Sequence, residues 1–167
     1  MKYLVGAISA IIIIIAALLI FIYSGIYNIS AADSHTGVSM WMINTLKDNS
    51  IKKHANDEIK VPDLSDTSLV NSGYNHYKEM CVGCHGAPGI DKLAKGFYPD
   101  PPLLAEEAGE WNSRELFWVI KNGIKMTAMP AFGKILSDEN IWAITAFTQK
   151  LPKMNKEQYQ DFIKSQE

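Results

Sequence analysis

The cysteines of this chain are confined to one short segment. Cys81 and Cys84 are the only two cysteines in 167 residues, they lie in the sequence CVGCH, and His85 directly follows the second. Two cysteines are too few for a disulfide framework or for a zinc site with four thiolates. The chain must therefore fold so that this one segment presents both thiols and the imidazole together.

The order of these residues is that of c-type haem attachment. Two thiols about one helical turn apart can form thioethers with the two vinyl groups on one edge of a porphyrin, and the next residue then lies beneath the iron. The segment therefore predicts one haem c, bound covalently through Cys81 and Cys84, with a nitrogen of His85 as an axial ligand.

Three other interpretations of the motif fit less well. A thioredoxin-like dithiol would follow a strand in a βαβ pattern, whereas the surrounding sequence is helical. A zinc site needs a further ligand at metal spacing, and the sequence has no second cysteine pair. A chance match stays open for any short motif. The exported location predicted below favours haem, because haem is attached covalently outside the cytoplasm.

A second axial ligand is expected downstream, where methionine or histidine would suit the iron. The segment NGIKMTAMPAFG offers Met126 and Met129, and Met129 precedes Pro130, whose fixed φ stiffens a loop that must hold a sulfur at the iron. Met129 is therefore the predicted ligand, with Met126 expected to pack on the porphyrin. The competing nitrogens are those of His35, His54 and His76.

The N-terminal segment from Tyr3 to Tyr23 contains no charged residue. As a helix it would rise about 31 Å, enough to cross a hydrocarbon core of about 30 Å. Lys2 precedes it, as expected of a cytoplasmic flank. We therefore predict an uncleaved single-pass anchor in the bacterial inner (cytoplasmic) membrane, with the rest of the chain on the periplasmic, extracytoplasmic side. Cleavage of a signal peptide before Asp33 stays open.

Four regions are predicted along the chain. They are the anchor at 1–24, an amphipathic connector and linker at 25–64, a haem domain at 65–152 and a tail helix at 153–167. The connector places five residues on one helical face, namely Val38, Trp41, Met42, Thr45 and Leu46. Such a helix fits a position at the membrane surface, and packing on the haem domain or on a partner fits equally well. The polar stretch 47–66 is predicted to be a linker.

The haem domain is predicted to consist of helices and loops. One helix, capped by Thr67 or Ser68, runs through Glu79; others begin at caps Ser113, Ser137 and Asn155. Proline and glycine predict loops at 86–105, and 126–136 is also predicted as loop. No segment alternates with a period of two for long, so almost no sheet is expected.

The motif CVGCH, the downstream MPAFG and the helices at both ends resemble a class I cytochrome c, of the single-haem type also found in the cytochrome subunits of cbb3 oxidases. The resemblance covers roughly residues 68–151. It implies an all-α fold, here a single N-terminal transmembrane helix plus a cytochrome c-like helical haem domain. In this family a glycine and an aromatic residue four positions later pack across the C-terminal helix. Gly73 and Tyr77 match, and the implied partners are Ile144 and Phe147.

The resemblance also implies two further cofactor-binding residues. A Pro-x-Leu sequence in this family supplies the carbonyl that accepts the proximal histidine's N–H, which here corresponds to Pro102, with Pro101 as a shifted alternative. Such a bond would orient His85 and raise its basicity as a ligand. Trp111 resembles a tryptophan that contacts a haem propionate, and plain core packing fits this residue equally well.

An iron held by His85 and Met129 has no vacant position for a substrate, which predicts electron transfer and not catalysis. The predicted function is a membrane-anchored c-type cytochrome that transfers single electrons in a periplasmic respiratory chain. The alternative is a fixed electron-entry subunit of a multi-subunit membrane oxidase or reductase. Expected partners are a membrane-bound respiratory complex, another redox protein, or both, and the lipid bilayer. The net charge of −2 argues against nucleic acid, and no small-molecule substrate is expected.

Overall fold

The computed structural model of the protein describes residues 1–166. Within that range every regular element is helical, and the only β feature is an isolated bridge between Ala87 and Ile90. The predicted all-α fold is thus confirmed for the described residues. Two compact units are present, one comprising residues 1–34 and the other starting at His35. The predicted domain boundaries stay predictions.

The first unit contains helix α1, Lys2–Ser24. Its side chains are exposed along its whole length, and Gly25 ends it with a left-handed φ of 65°. Glycine adopts this conformation without the steric cost that a Cβ would add. The helix is long and apolar enough to cross a membrane, although an N-terminal signal sequence has the same properties.

The second unit contains the remaining helices. In chain order they are α2 (Gly37–His54), α3 (Thr67–Met80), α4 (Val82–His85), α5 (Leu104–Glu107), α6 (Ser113–Asn122), α7 (Asp138–Thr148) and α8 (Lys156–Lys164). Three short 3₁₀ turns occur at Ala108–Glu110, Phe132–Lys134 and Leu151–Lys153. The second of these lies inside the predicted loop 126–136.

The core is built on the packing of α3 against α7, the most extensive contact between two helices. Every residue of α7 from Ile141 to Thr148 is buried. Gly73 of α3 lies so close to α7 that a Cβ on it would come within 1.9 Å of the Ala143 carbonyl oxygen. The ring of Tyr77 packs on Phe147, with 5.3 Å between centroids. Because glycine has no side chain beyond its Cα, Gly73 allows the two helices to approach this closely.

Helix capping differs from the sequence prediction at two helices. At α3 the cap is Asp66, whose carboxylate accepts the N–H of Ser68 at 2.8 Å, in place of Thr67 or Ser68. At α6 it is Asn112, in place of Ser113, because Asn112 and Glu115 form a reciprocal capping box. The predicted caps Ser137 of α7 and Asn155 of α8 are confirmed.

Helix α2 continues past Leu46 to His54, into the stretch predicted to be a linker. The reason is tertiary: Ile51 is only 1% exposed, and the His54 ring stacks on Trp118 of α6 with 5.6 Å between centroids. Beyond the helix, Arg114 of α6 donates from Nε to the Ile59 carbonyl at 3.1 Å. The C-terminal half of α2 is therefore part of the folded domain.

Candidate functional site

The two thiols and the imidazole lie within one turn of backbone, with Cys81 between α3 and α4 and with Cys84 and His85 in α4. The N–H groups of Cys84 and His85 both donate to the Cys81 carbonyl, at 3.1 and 2.9 Å. Both cysteines are free thiols; Cys81 is buried and Cys84 is half-buried. Burial, with a smaller contribution from Cys84, raises the pKa of Cys81 to about 12. The Cys81 thiol is therefore neutral at physiological pH.

His85 is fixed through one of its two ring nitrogens. Nδ1–H donates to the Pro102 carbonyl at 2.9 Å, which leaves Nε2 for another partner. Burial lowers the pKa of His85, and the nearby positive charge of Lys92 also lowers it. The hydrogen bond to Pro102 acts in the opposite direction and raises the pKa. The neutral imidazole favoured in this way is the form that binds a metal. A hydrogen bond at the other nitrogen is the usual device for orienting such a ligand.

The segment after the motif folds back on it. The N–H groups of Leu93 and Ala94 both donate to the Gly83 carbonyl at 3.0 Å. The buried Tyr77 hydroxyl donates to the Gly86 carbonyl at 2.7 Å, which ties α3 to the end of α4. Gly86 has φ 64°, and a Cβ on it would come within 2.7 Å of the Ile90 carbonyl oxygen. Glycine is required here by both conformation and space.

Lys92 joins this segment to the chain that carries the Pro102 carbonyl. Its Nζ donates to the Pro101 carbonyl at 2.8 Å and pairs with the Asp100 carboxylate. Its side chain is only 19% exposed, which is low for a lysine. Lys92 therefore holds the peptide immediately before the acceptor of the His85 hydrogen bond. Sequence analysis did not predict this role, and the signal available was a lysine shortly before the DPP sequence.

Met129 lies half-buried against the core cluster, in a loop with its own internal bonds. The Thr127 hydroxyl donates to the Ile124 carbonyl at 2.8 Å and accepts the Met129 N–H at 3.1 Å. The loop closes on Gly123, where a Cβ would come within 2.7 Å of the Met129 carbonyl oxygen. By contrast, Met126 is 90% exposed, with φ 61°. Thr127 was another residue that sequence analysis missed.

The remaining candidates lie in other surroundings. Trp111 is half-buried and directly follows the turn Ala108–Glu110. The backbone N–H of His35 donates to the Tyr98 hydroxyl at 2.9 Å, and the His35 ring lies edge-on to the Tyr98 ring. His54 stacks on Trp118, as described, and His76 is half-buried on α3.

The chemistry of the donor groups described above fits a c-type haem. Two free thiols lie one turn apart, the adjacent imidazole has one nitrogen already committed to a carbonyl, and a thioether is half-buried at the core. Thioether-forming cysteines, a proximal histidine and a methionine sulfur are the attachments and ligands that such a haem uses. The committed nitrogen also suits a ligand that must keep one orientation.

Residues 68–147 match the sequence model of a protein family described as cytochrome c oxidase, cbb3-type, subunit III. The matched range starts at the second residue of α3 and ends one residue before the end of α7, so it includes the motif, Pro102 and Met129. No curated protein and no solved structure matches the chain.

Proposed function

We propose that this chain, whose residues 68–147 form a cytochrome c domain of the cbb3 type, is a membrane-anchored carrier of single electrons in a periplasmic respiratory chain. Cys81 and Cys84 would hold one haem c through thioethers, and His85 and Met129 would be its axial ligands. One observation carries the proposal. His85, which lies in the same turn as two free thiols, donates from Nδ1 to the Pro102 carbonyl and so keeps Nε2 for another partner.

The bound haem would supply reversible one-electron exchange between ferric and ferrous iron. The chain's own residues would set the conditions for it. The hydrogen bond to Pro102 would orient His85, and the loop fixed by Thr127 and Gly123 would present Met129. Buried side chains of α6, α7 and the turn after Met129 would exclude water and so disfavour the additional positive charge of the oxidised state. These are Leu116, Ile120, Phe132 and Trp142.

Helix α1 would anchor the carrier in the membrane, with the haem domain on the periplasmic side. Two observations support this anchoring. The helix Lys2–Ser24 is long and apolar enough to span a membrane, and Lys2 precedes the uncharged stretch. A tether of this kind raises the effective concentration of the domain at membrane-bound partners without any new contact. With both axial positions filled, the chain would transfer electrons and catalyse no reaction of its own.

A second candidate is a fixed electron-entry subunit of a membrane oxidase or reductase. The description of the matched family as an oxidase subunit favours it. Purification in mild detergent separates the two candidates, because a fixed subunit elutes with larger membrane proteins and a free carrier elutes alone.

The first test is the double substitution Cys81→Ser with Cys84→Ser. We expect no haem to stay with the chain after denaturation, because serine forms no thioether with the vinyl groups. The measurement is haem absorbance of the denatured protein on a gel. Met129→Ala is the matched control, since it removes a ligand and leaves both thioethers. Covalently held haem in the double variant would contradict the proposal.

The second test concerns Lys92. We expect Lys92→Met to lower the midpoint potential by roughly 20–100 mV, the range that Coulomb's law gives for one charge several ångströms away in a medium between protein surface and water. Removing the ammonium group takes away a positive charge and leaves Asp100 unpaired, and both changes favour the oxidised, more positive iron. The measurement is a spectroscopic redox titration of the full chain.

Lys95→Met is the control for Lys92, because Lys95 is an exposed lysine of the same loop. It removes the same charge from a solvated position, where screening is strong. Equal shifts of the midpoint potential in the two variants would mean that the contacts of Lys92 with Asp100 and Pro101 do not affect the potential of the iron.

A further inference from the structure

The outer face of α2 carries an exposed apolar stripe. Val38 is 75% exposed, Trp41 69% and Leu46 65%, and Met42 is exposed beside them. Their spacing of three and four residues puts them on one side of the helix. Single exposed apolar residues are ordinary, but a contiguous patch that contains tryptophan marks an interaction surface.

The stripe faces away from the domain. The opposite side of α2 carries the buried Ile51 and also His54, whose ring stacks on Trp118 of α6, so the helix is attached by its C-terminal half. Thr36 caps the N-terminal end, accepting the N–H of Ser39 at 3.3 Å. The helix is thus ordered and oriented without any contribution from the stripe, and burying the stripe needs an additional partner.

The length of the chain limits what that partner can be. The segment between Ser24 of α1 and Gly37 of α2 spans at most about 45 Å when fully extended. If α1 crosses a bilayer, α2 stays within that distance of the membrane surface. A lipid surface is thus always within reach of the stripe, whereas a protein partner must first reach it by diffusion.

The chemistry of the stripe suits lipid. Trp41 is of the residue type enriched where headgroups meet acyl chains. At 100° per residue, Lys52 and Lys53 lie on the same side of α2 as the stripe, one to two turns further along, and both are exposed. Basic residues beside an apolar face favour anionic headgroups.

We propose that this stripe lies in the headgroup region of a lipid bilayer, with Trp41 and Leu46 inserted and Lys52 and Lys53 at anionic headgroups. The inference rests on the anchoring by α1 in the proposed function. Because α2 is attached to α6, such insertion would hold the haem domain in one orientation at the membrane. The domain would then present the same side to every membrane-bound redox partner.

The test uses spin labels on the full, haem-loaded chain in nanodiscs that contain anionic lipid. Once Cys81 and Cys84 are in thioethers, an introduced cysteine is the only reactive thiol. Met42→Cys places a label in the stripe, and Asn44→Cys places one at an exposed position on the other side of the same helix. Ile13→Cys in α1 reports on the anchor. The measurement is the ratio of collision rates with oxygen, which enters bilayers, and with a water-soluble nickel chelate.

We expect this ratio to be several-fold higher at position 42 than at position 44. Equal, water-like ratios at both positions would overturn the inference. So would a fall in both collision rates at position 42, because that pattern means coverage by protein, either a partner or a second copy of the chain. A water-like ratio at position 13 would instead contradict the anchor, so the two proposals fail separately.

Discussion

We expect Gly73→Ala to destabilise the haem-loaded chain by about 3 kcal/mol or more, at or above the upper end of the usual cost of overpacking. The new Cβ would come within 1.9 Å of the Ala143 carbonyl oxygen and 2.9 Å of the Phe147 Cβ. The first contact is with backbone, so no rotamer change relieves it, and α3 and α7 must separate. The gain in helix propensity, about 1 kcal/mol, offsets only part of this cost.

Thermal unfolding followed by far-UV circular dichroism measures the effect, with an expected fall in Tm of roughly 9–15 °C, since the second unit lies in size between small and large domains and each kcal/mol lowers its Tm by about 3–5 °C. Gly109→Ala is the control, because its nearest neighbours are Pro152 side-chain atoms at 3.8 Å, an ordinary contact. The control is expected to stay within about 0.5 kcal/mol of wild type. Similar stability of the two variants would show that the helices do not approach as closely as described.

The second large effect is expected for Met129→Ala. Loss of the thioether removes a ligand that favours ferrous iron, so the midpoint potential should fall by on the order of 0.1 V or more, within the span of about 0.8 V covered by axial ligands. The weak long-wavelength charge-transfer absorption of ferric, methionine-ligated haem should disappear. The reduced variant should also bind carbon monoxide, since one axial position is vacant. Redox titration and absorption spectra measure all three.

Met126→Ala is the matched control for this ligand, because Met126 lies in the same loop and is almost fully exposed. We expect its spectrum and potential to equal those of wild type. Should Met126→Ala lose the charge-transfer absorption while Met129→Ala keeps it, the two methionines would have to exchange their assigned roles.

Local signals in the sequence were sufficient for most of the helices. Ser137 and Asn155 mark helix starts that the structure also has, because a capping side chain acts within one turn of backbone. The caps of α3 and α6 were each misplaced by one or two residues. In both places neighbouring side chains are able to cap the helix. Which of them reaches the free N–H groups depends on the backbone conformation in the folded protein.

Features that depend on distant parts of the chain were not predictable in the same way. The extension of α2 to His54 depends on Ile51 and on the stacking of His54 on Trp118, which is far away in sequence. At the site, the spacing of CVGCH indicated the thiols and His85 directly. The contacts of Lys92 were not predicted because they join two loop segments, and polar loop residues carry no periodic signal.

The packing of α7 on α3 has a consequence for the order in which the protein matures. Helix α3 and the two cysteines are synthesised well before α7, the helix on which α3 packs most extensively. Cys81 belongs to the core cluster that α7 completes, so its sulfur is sealed only after the later part of the chain has emerged. The Cys81 thiol is therefore open to modification until the chain as far as α7 has been synthesised.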